Sequence, residues 1–460
     1  MNTKNIILLV LLILVIVAYS FMKMPETHGV NTDEISDVVV KQAVITMQDN
    51  GCLSCHSEQA SLPFYGSFPI IGDMVKEDMK LGLRAMDLSS LFNLMAGGAV
   101  VPEAAMAKIE KAIADGTMPP ANFTSAHWSS KVDDTEKASI LDWVSETRLE
   151  HYATNTENEK FANEPIQPVV ESVEYNPEKA ELGFMLYHDN RLSGDNTLSC
   201  ASCHNLGTAG VDNKKVSDGI NNQKGGINAP TVYNAVFNIK QFWDGRARDL
   251  QEQAAGPPLN PVEMGSKSWD EVIPKLNADT KLKEAFTVIY PEGFTGETIT
   301  HAIAEFEKTL ITPNSAFDKY LKGDENAISD DAKEGYLLFI EKKCATCHVG
   351  QAMGGQSFEY MGLAMDYFVD RGDVNEADYG LYNFTKKESD RYKFKTPLLR
   401  NIALTAPYFH DGNALTLDDA VVVMLKYQLG EAITEKTEVE KIVSFLKTLN
   451  GEYKGQVLHK

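Results

Sequence analysis

Residues 51–56 read GCLSCH, and the same C-x-x-C-H pattern returns as CASCH at 200–204 and CATCH at 344–348. All six cysteines of the chain fall in these three pairs. A C-x-x-C pair alone suits a zinc half-site, a redox disulfide or a haem attachment site. The following histidine separates these readings. Histidine is 10 of 460 residues, so three such neighbours by chance is about one in 10⁵. Two thiols at this spacing add across the vinyl groups of a haem, and the adjacent histidine is placed to ligate the iron. The pattern predicts three covalent haem c groups, on Cys52, Cys55 and His56, on Cys200, Cys203 and His204, and on Cys344, Cys347 and His348.

The group opposite each histidine sets what the iron does. Methionine there gives a closed electron carrier, whereas an open position gives chemistry. In DGTMPP, Met118 is followed by Pro119 and Pro120, which stiffen the backbone where a ligand must be held. Met118 is the expected second ligand of the first iron, with Met74, Met79, Met86 and His127 as alternatives. The competing reading is a core-filling methionine, the commoner fate of this residue.

The elements that must position these groups are mainly helical, with periodicity near 3.6 dominant and strand alternation scarce. The expected fold class is mainly α: three cytochrome c-like haem domains with long loops, after one N-terminal transmembrane helix. Ile6–Met22 is apolar apart from Ser20 and flanked by lysines. At 1.5 Å per residue this length just crosses a membrane core. A cleaved signal peptide ending near Ala18-Tyr19-Ser20 is the rival. The reading gives 1–22 as anchor or signal, 45–150 as a first haem domain, 151–177 as a linker, and 178–314 and 315–460 as second and third haem domains. Either reading of the N-terminus exports the chain, to the periplasm if cleaved and to the periplasmic face of the inner membrane if anchored. The net charge of −22 argues against a nucleic-acid partner.

Residues 51–144, with CLSCHS, LPFYGSFP, DGTMPP and ILDWV, resemble the small haem-binding domain that opens some bacterial multihaem proteins. Residues 178–450 resemble the bacterial di-haem cytochrome c peroxidases more closely. The stretches that carry this are RLSGDNTLSCASCHNL, NAPTVYNAVFN, FWDGRARDLQEQAAGPPLNPVEM and FKTPLLRNIALTAPYFHDG, in the family's order. The three-motif layout behind an apolar N-terminus is similar to the membrane-bound, quinol-linked subgroup.

The resemblance implies reduction of hydrogen peroxide to water at the second haem. Glu263 is its implied acid–base, Gln253 the companion, and Trp243 the tryptophan between the second and third haems. Pro257, Pro258 and Pro261 are expected to break any helix, leaving Glu263 on a loop. A lone Glu on a loop is otherwise a solvated charge. Many relatives cap the second iron with a histidine from the loop before NAPT; here the matching residue is Ile220, which cannot ligate iron. The site is therefore expected to be open at rest or closed by a weaker group, Met264 being one alternative. The third haem is implied to be the high-potential one, with Met424 as ligand and Met353, Met361 and Met365 as alternatives. His410 is read as a hydrogen-bonding group. A calcium ion is implied at Asn228, Thr405 and Pro407, whose oxygens suit a hard cation.

The first haem reads as a built-in electron inlet, since tethering a donor raises its effective concentration to roughly millimolar. Quinol or a c-type cytochrome is the implied donor, and the resemblance allows a homodimer. Two rivals stand beside this. A protein-oxidising relative of the methylamine dehydrogenase maturation type has Tyr where this chain has Met424. A pure three-haem conduit would close all three irons and would not need the Gln253/Glu263 segment.

Overall fold

The computed structural model describes residues 5–7, 12, 27–153, 158–431 and 435–459. It divides into two compact units, Met1–Tyr152 and Ala153–Lys460. Among the described residues helices dominate, and the strands are two short antiparallel pairs, β1 (Phe358–Tyr360) with β2 (Lys393–Lys395) and β3 (Glu452–Tyr453) with β4 (Gln456–Val457). The expected anchor, apart from Ile6, Ile7 and Leu12, lies outside the described residues. No helix among the described residues is long and apolar enough to cross a membrane.

In unit one, the helices Val38–Asp49 and Glu103–Ala114 pack on Asp134–His151. The last of these begins where Asp133 caps the free N–H groups of Thr135 and Glu136 and Glu136 reciprocates, which satisfies donors the first turn leaves over. Its Ile140, Trp143 and Val144 meet Val44, Leu53, Phe92 and Met106 in one core. Arg148 lies fully buried, donating to Glu103 (2.8 Å) and to Glu110 (2.7 Å). A buried cation is tolerated in such a place only when paired.

In unit two the same construction occurs twice. The helix Pro177–Tyr187 precedes the second motif and packs on Gly296–Lys308; the helix Asp330–Glu341 precedes the third and packs on Lys436–Lys447. Each crossing depends on a glycine. A Cβ on Gly183 would stand 1.9 Å from the Ala302 carbonyl oxygen, and one on Gly335 would stand 2.0 Å from that of Lys441. Neither helix pair can approach this closely with a side chain between them.

Two expectations are corrected here. The stretch 151–177 is not a free linker in its described part: Phe161, Ile166 and Val169 are buried in unit two, Ile166 bridges Gly350, and the Gln167 carbonyl accepts from Arg400 (3.0 Å). Three apolar side chains in a polar segment suffice to bury it. The prolines also do not stop the helix before them. Leu250–Leu259 runs through Pro257 and Pro258, which occupy its last turn, and ends at Asn260. Their missing N–H groups cost interior bonds there but leave the first two turns intact. Glu263 still lies beyond the helix, in a turn.

Candidate active site

The three C-x-x-C-H segments fold alike. In each, the histidine N–H donates to the carbonyl of the first cysteine: His56 to Cys52 (3.1 Å), His204 to Cys200 (2.9 Å) and His348 to Cys344 (3.0 Å). One helical turn therefore gathers two sulfurs and an imidazole. Each ring is fixed by Nδ1 against a backbone carbonyl, of Met86 (3.1 Å), Gly210 (3.3 Å) and Met353 (3.2 Å). A carbonyl only accepts, so Nδ1 carries the proton and Nε2 is left with the lone pair that a metal takes. Burial lowers all three imidazole pKa values, which favours the neutral, ligating form. Gly82 has a specific place here, because a Cβ on it would stand 2.6 Å from the Cys55 carbonyl oxygen.

All six cysteines are free thiols. Burial pushes Cys52, Cys200 and Cys344 up to about 12 and Cys55 up to about 11. A dithiol that exchanges with disulfides needs a thiolate near neutral pH, and burial here works against one. Among the described residues no group of three or more His, Cys, Asp or Glu is arranged to hold a metal ion, which leaves the zinc half-site without its other half. Covalent haem fits each segment: two cysteines outside any disulfide, gathered on one turn, and an imidazole presented by Nε2.

Glu263 follows the Leu250–Leu259 helix. Its Oε1 accepts from Asn260 (2.9 Å), and its backbone carbonyl accepts from the Ile220 N–H (2.7 Å). Burial raises its pKa, opposed by Arg246 and by the Asn260 bond. The carboxylate is close enough to Cys203 to raise that thiol, so it stands on the side of the second motif. Gln253 lies half-buried on the helix itself. Ile220 is buried and packs over Gly265, where a Cβ would stand 2.9 Å from Cδ1. The 220 loop thus rests on the Glu263 turn. Met264, the alternative cap, is instead buried in the core with Leu182, Leu192 and Phe286.

Trp243 ties the two halves of unit two. Its Nε1–H donates to the Asn228 carbonyl (2.9 Å), and its ring meets Phe394 and His410 edge-on at 6.4 and 6.3 Å. Met424 packs in the same aromatic cluster, with Trp243, Tyr367, Phe368, Phe394 and Phe409. Met361 is buried in that cluster and Met365 packs against it, whereas Met353 lies in the core and supplies its carbonyl to His348. His410 bonds Asp378 (2.8 Å), and Arg371 grips Asp378 and Asp411 (2.6 and 2.8 Å). The hydrogen bonds from His410 and Arg371, with the Arg371 charge, hold Asp378 well below the usual carboxylate range against the cost of its burial. Sequence reasoning gave His410 a hydrogen-bonding role but missed its partners, which lie over thirty residues away.

Asn228 donates through Nδ2 to the Lys214 carbonyl (2.8 Å), and its N–H donates to the His410 carbonyl. The neighbouring Asn213 donates to the carbonyls of Leu404 and Ala406. These bonds bring the Asn228 and Thr405–Pro407 segments to one place, with Oδ1 of Asn228 as the remaining acceptor. In unit one, Met118 is 38% exposed in the turn before the short helix Ala121–Ala126. Of its alternatives, His127 is buried with Nε2 against the Tyr65 hydroxyl (2.7 Å), and Met74 is exposed.

Two family descriptions match the chain: a haem-binding domain over residues 12–146 and di-haem cytochrome c peroxidase over 177–326. The chain is 50% identical over 407 residues to cytochrome c peroxidase Ccp of Escherichia coli (strain K12), across 88% of this chain and 87% of that protein. It is 49% identical to cytochrome c551 peroxidase of Nitrosomonas europaea, across 63% of this chain and 85% of that one. Among solved structures, a MauG-like protein associated with microbial copper homeostasis superposes with a TM-score of 0.54 at 28% identity, covering 65% of this chain and 95% of that one. The chain belongs to the di-haem cytochrome c peroxidase family, with a haem-binding domain at its N-terminal end. The expectation of a mainly helical haem protein of this family holds.

Proposed function

We propose that this chain reduces hydrogen peroxide to water with electrons delivered through haem c, as its relatives' names indicate for them. The reaction takes two electrons and two protons per peroxide and releases two waters. Haem c supplies the iron that binds peroxide and the redox centres that hold the electrons.

The chain's own residues do the rest. His204 holds the second haem through Nε2, with Cys200 and Cys203 as its covalent points. Glu263 takes the proton from the near oxygen of peroxide and returns it to the far one, which makes water the leaving group. Its half-buried place in the turn held by Asn260 and the Ile220 N–H, with a raised pKa, is the observation that carries this reading. Asn260 orients the carboxylate, and Gln253 is its companion. Ile220, seated on the Glu263 turn, has no atom that could ligate iron, so the second haem would be open at rest or closed by a weaker group. Trp243 lies between the second and third haems. His348 and Met424 would hold the third haem, which would be the high-potential electron store, and His56 and Met118 would hold the first.

The finer assignments follow the same line. Three haems are carried, the first as an electron inlet from quinol or a c-type cytochrome. Calcium is held by Asn228, Thr405 and Pro407, whose segments share one place. The chain is periplasmic, and Ile6–Met22 anchors it to the inner membrane. A purely conducting chain would have no use for a half-buried carboxyl of raised pKa held against the Ile220 loop. The test is Glu263→Gln, which keeps shape and removes the base. Peroxide turnover is expected to fall by about 10²–10⁴-fold with haem content unchanged. Unchanged turnover would sink the assignment and bring back the conduit.

A further inference from the structure

Among the described residues, buried ionisable side chains are mostly paired. Arg148 has Glu103 and Glu110, Arg400 has Asp318, Asp378 has His410 and Arg371, and Glu305 has Lys308. Lys395 and Glu307 are different. A carboxyl in Glu307's position becomes neutral by keeping its proton. Lys395 is a cation at neutral pH unless burial strips it.

Lys395 is 5% exposed, at the end of β2. Among the described residues the one hydrogen-bond partner of its ammonium is the Asn238 side-chain oxygen, at 3.2 Å, and no carboxylate lies within ion-pair distance of Nζ. Burial alone moves its pKa, down to about 8. An ammonium buried against one neutral amide is several kcal/mol short of compensation. A protein that could use methionine here places a charge instead.

The surroundings say what completes it. The backbone N–H of Lys395 donates to the Trp243 carbonyl (2.9 Å). Two residues on, the Pro397 carbonyl lies against the His348 ring. Asn238 reaches Lys395 across Gly355, where a Cβ would stand 2.3 Å from the amide oxygen. The backbone at Lys395 thus runs between the tryptophan that links the two halves and the histidine of the third motif, with the ammonium turned to Asn238. The groups that fill this unit and lie outside the polypeptide are haems, and each haem carries two propionate carboxylates.

We propose that the Lys395 ammonium is the counter-ion of a haem propionate in unit two. This rests on reading the second and third motifs as haem c sites. Lys395 is then a positioning residue: it anchors the haem edge beside Trp243 and, as a fixed cation, favours the reduced state of that haem.

The experiment uses the full holoprotein. Haem content is measured first, in the wild type and in Lys395→Met, Lys395→Gln and Lys395→Arg. Each haem is then titrated spectroelectrochemically, and the propionate-bending band is recorded by resonance Raman. In Lys395→Met and Lys395→Gln the reduction equilibrium of one haem is expected to fall about tenfold, ~59 mV for one electron. The propionate band should shift with it, and Lys395→Arg should restore both. Should one neutral variant fail to fold, the other decides. Full haem content with unmoved potentials and an unmoved band overturns the pairing. A wild-type chain lacking haem at the second and third motifs overturns the peroxidase reading and this one with it.

Discussion

Glu263 shows how one residue's chemistry is set by what surrounds it. Burial lifts its pKa while Arg246 and Asn260 hold the carboxylate form within reach. The sign follows directly. A base must be deprotonated to accept the peroxide proton, so kcat/KM rises with pH as Glu263 ionises. The acid limb is expected above the ordinary glutamate range near 4.3, and Glu263→Gln should lack it. A pH profile of both forms with one electron donor checks this; the same acid limb in both would assign it elsewhere. The three histidines make the opposite case. Each is neutral and fixed by a carbonyl on Nδ1. This was legible only in part: C-x-x-C-H names the imidazole, but the carbonyls of Met86, Gly210 and Met353 depend on how the chain returns after the motif. Glu263 itself was legible through the family resemblance alone, since a glutamate in a proline-rich stretch carries no mark of burial.

At the scale of elements, the helix before each motif is the part on which the site is built. Gly335 stands nine residues before Cys344, and Ala43 nine residues before Cys52. Gly335 lets Asp330–Glu341 approach Lys441, while Ala43 is fully buried at the equivalent place in unit one. Gly335→Ala gains up to about 1 kcal/mol of helix propensity and meets a backbone oxygen at 2.0 Å. Overpacking of this kind costs about 1–3 kcal/mol, so the collision wins and the melting temperature of the holoprotein should fall. A rise would mean that the crossing can open without loss. The dominance of 3.6-residue periodicity announced a mainly helical chain, and helices such as Asp134–His151 and Lys436–Lys447 bear it out. Sequence reading failed at Leu250–Leu259, where two prolines in the last turn read as breakers, and at 158–171, where polar composition hid Phe161, Ile166 and Val169.

At the scale of the molecule, the two units divide the labour that the three motifs suggest. Unit two holds the second and third motifs, Trp243 and Glu263; unit one holds the first motif with its own core. If the first haem is the electron inlet, Cys52→Ser with Cys55→Ser should lower haem content from three to two. Turnover with the physiological donor should drop at least tenfold, while reoxidation of pre-reduced unit two by peroxide stays intact. Equal loss of both would place the first motif in folding rather than in electron supply. The apolar N-terminus, the donor and the calcium belong to this scale as well: the first is read from composition, the other two from the family resemblance and the layout of the motifs.

The most direct test of the whole account is to mix the fully reduced, oxygen-free protein with sub-stoichiometric hydrogen peroxide in a stopped-flow cell and follow the haem spectrum. The account predicts rapid reoxidation of two haem equivalents per peroxide, and loss of that rapid phase in Glu263→Gln at equal haem content. Slow reoxidation, or bleaching without the two-to-one ratio, would contradict it.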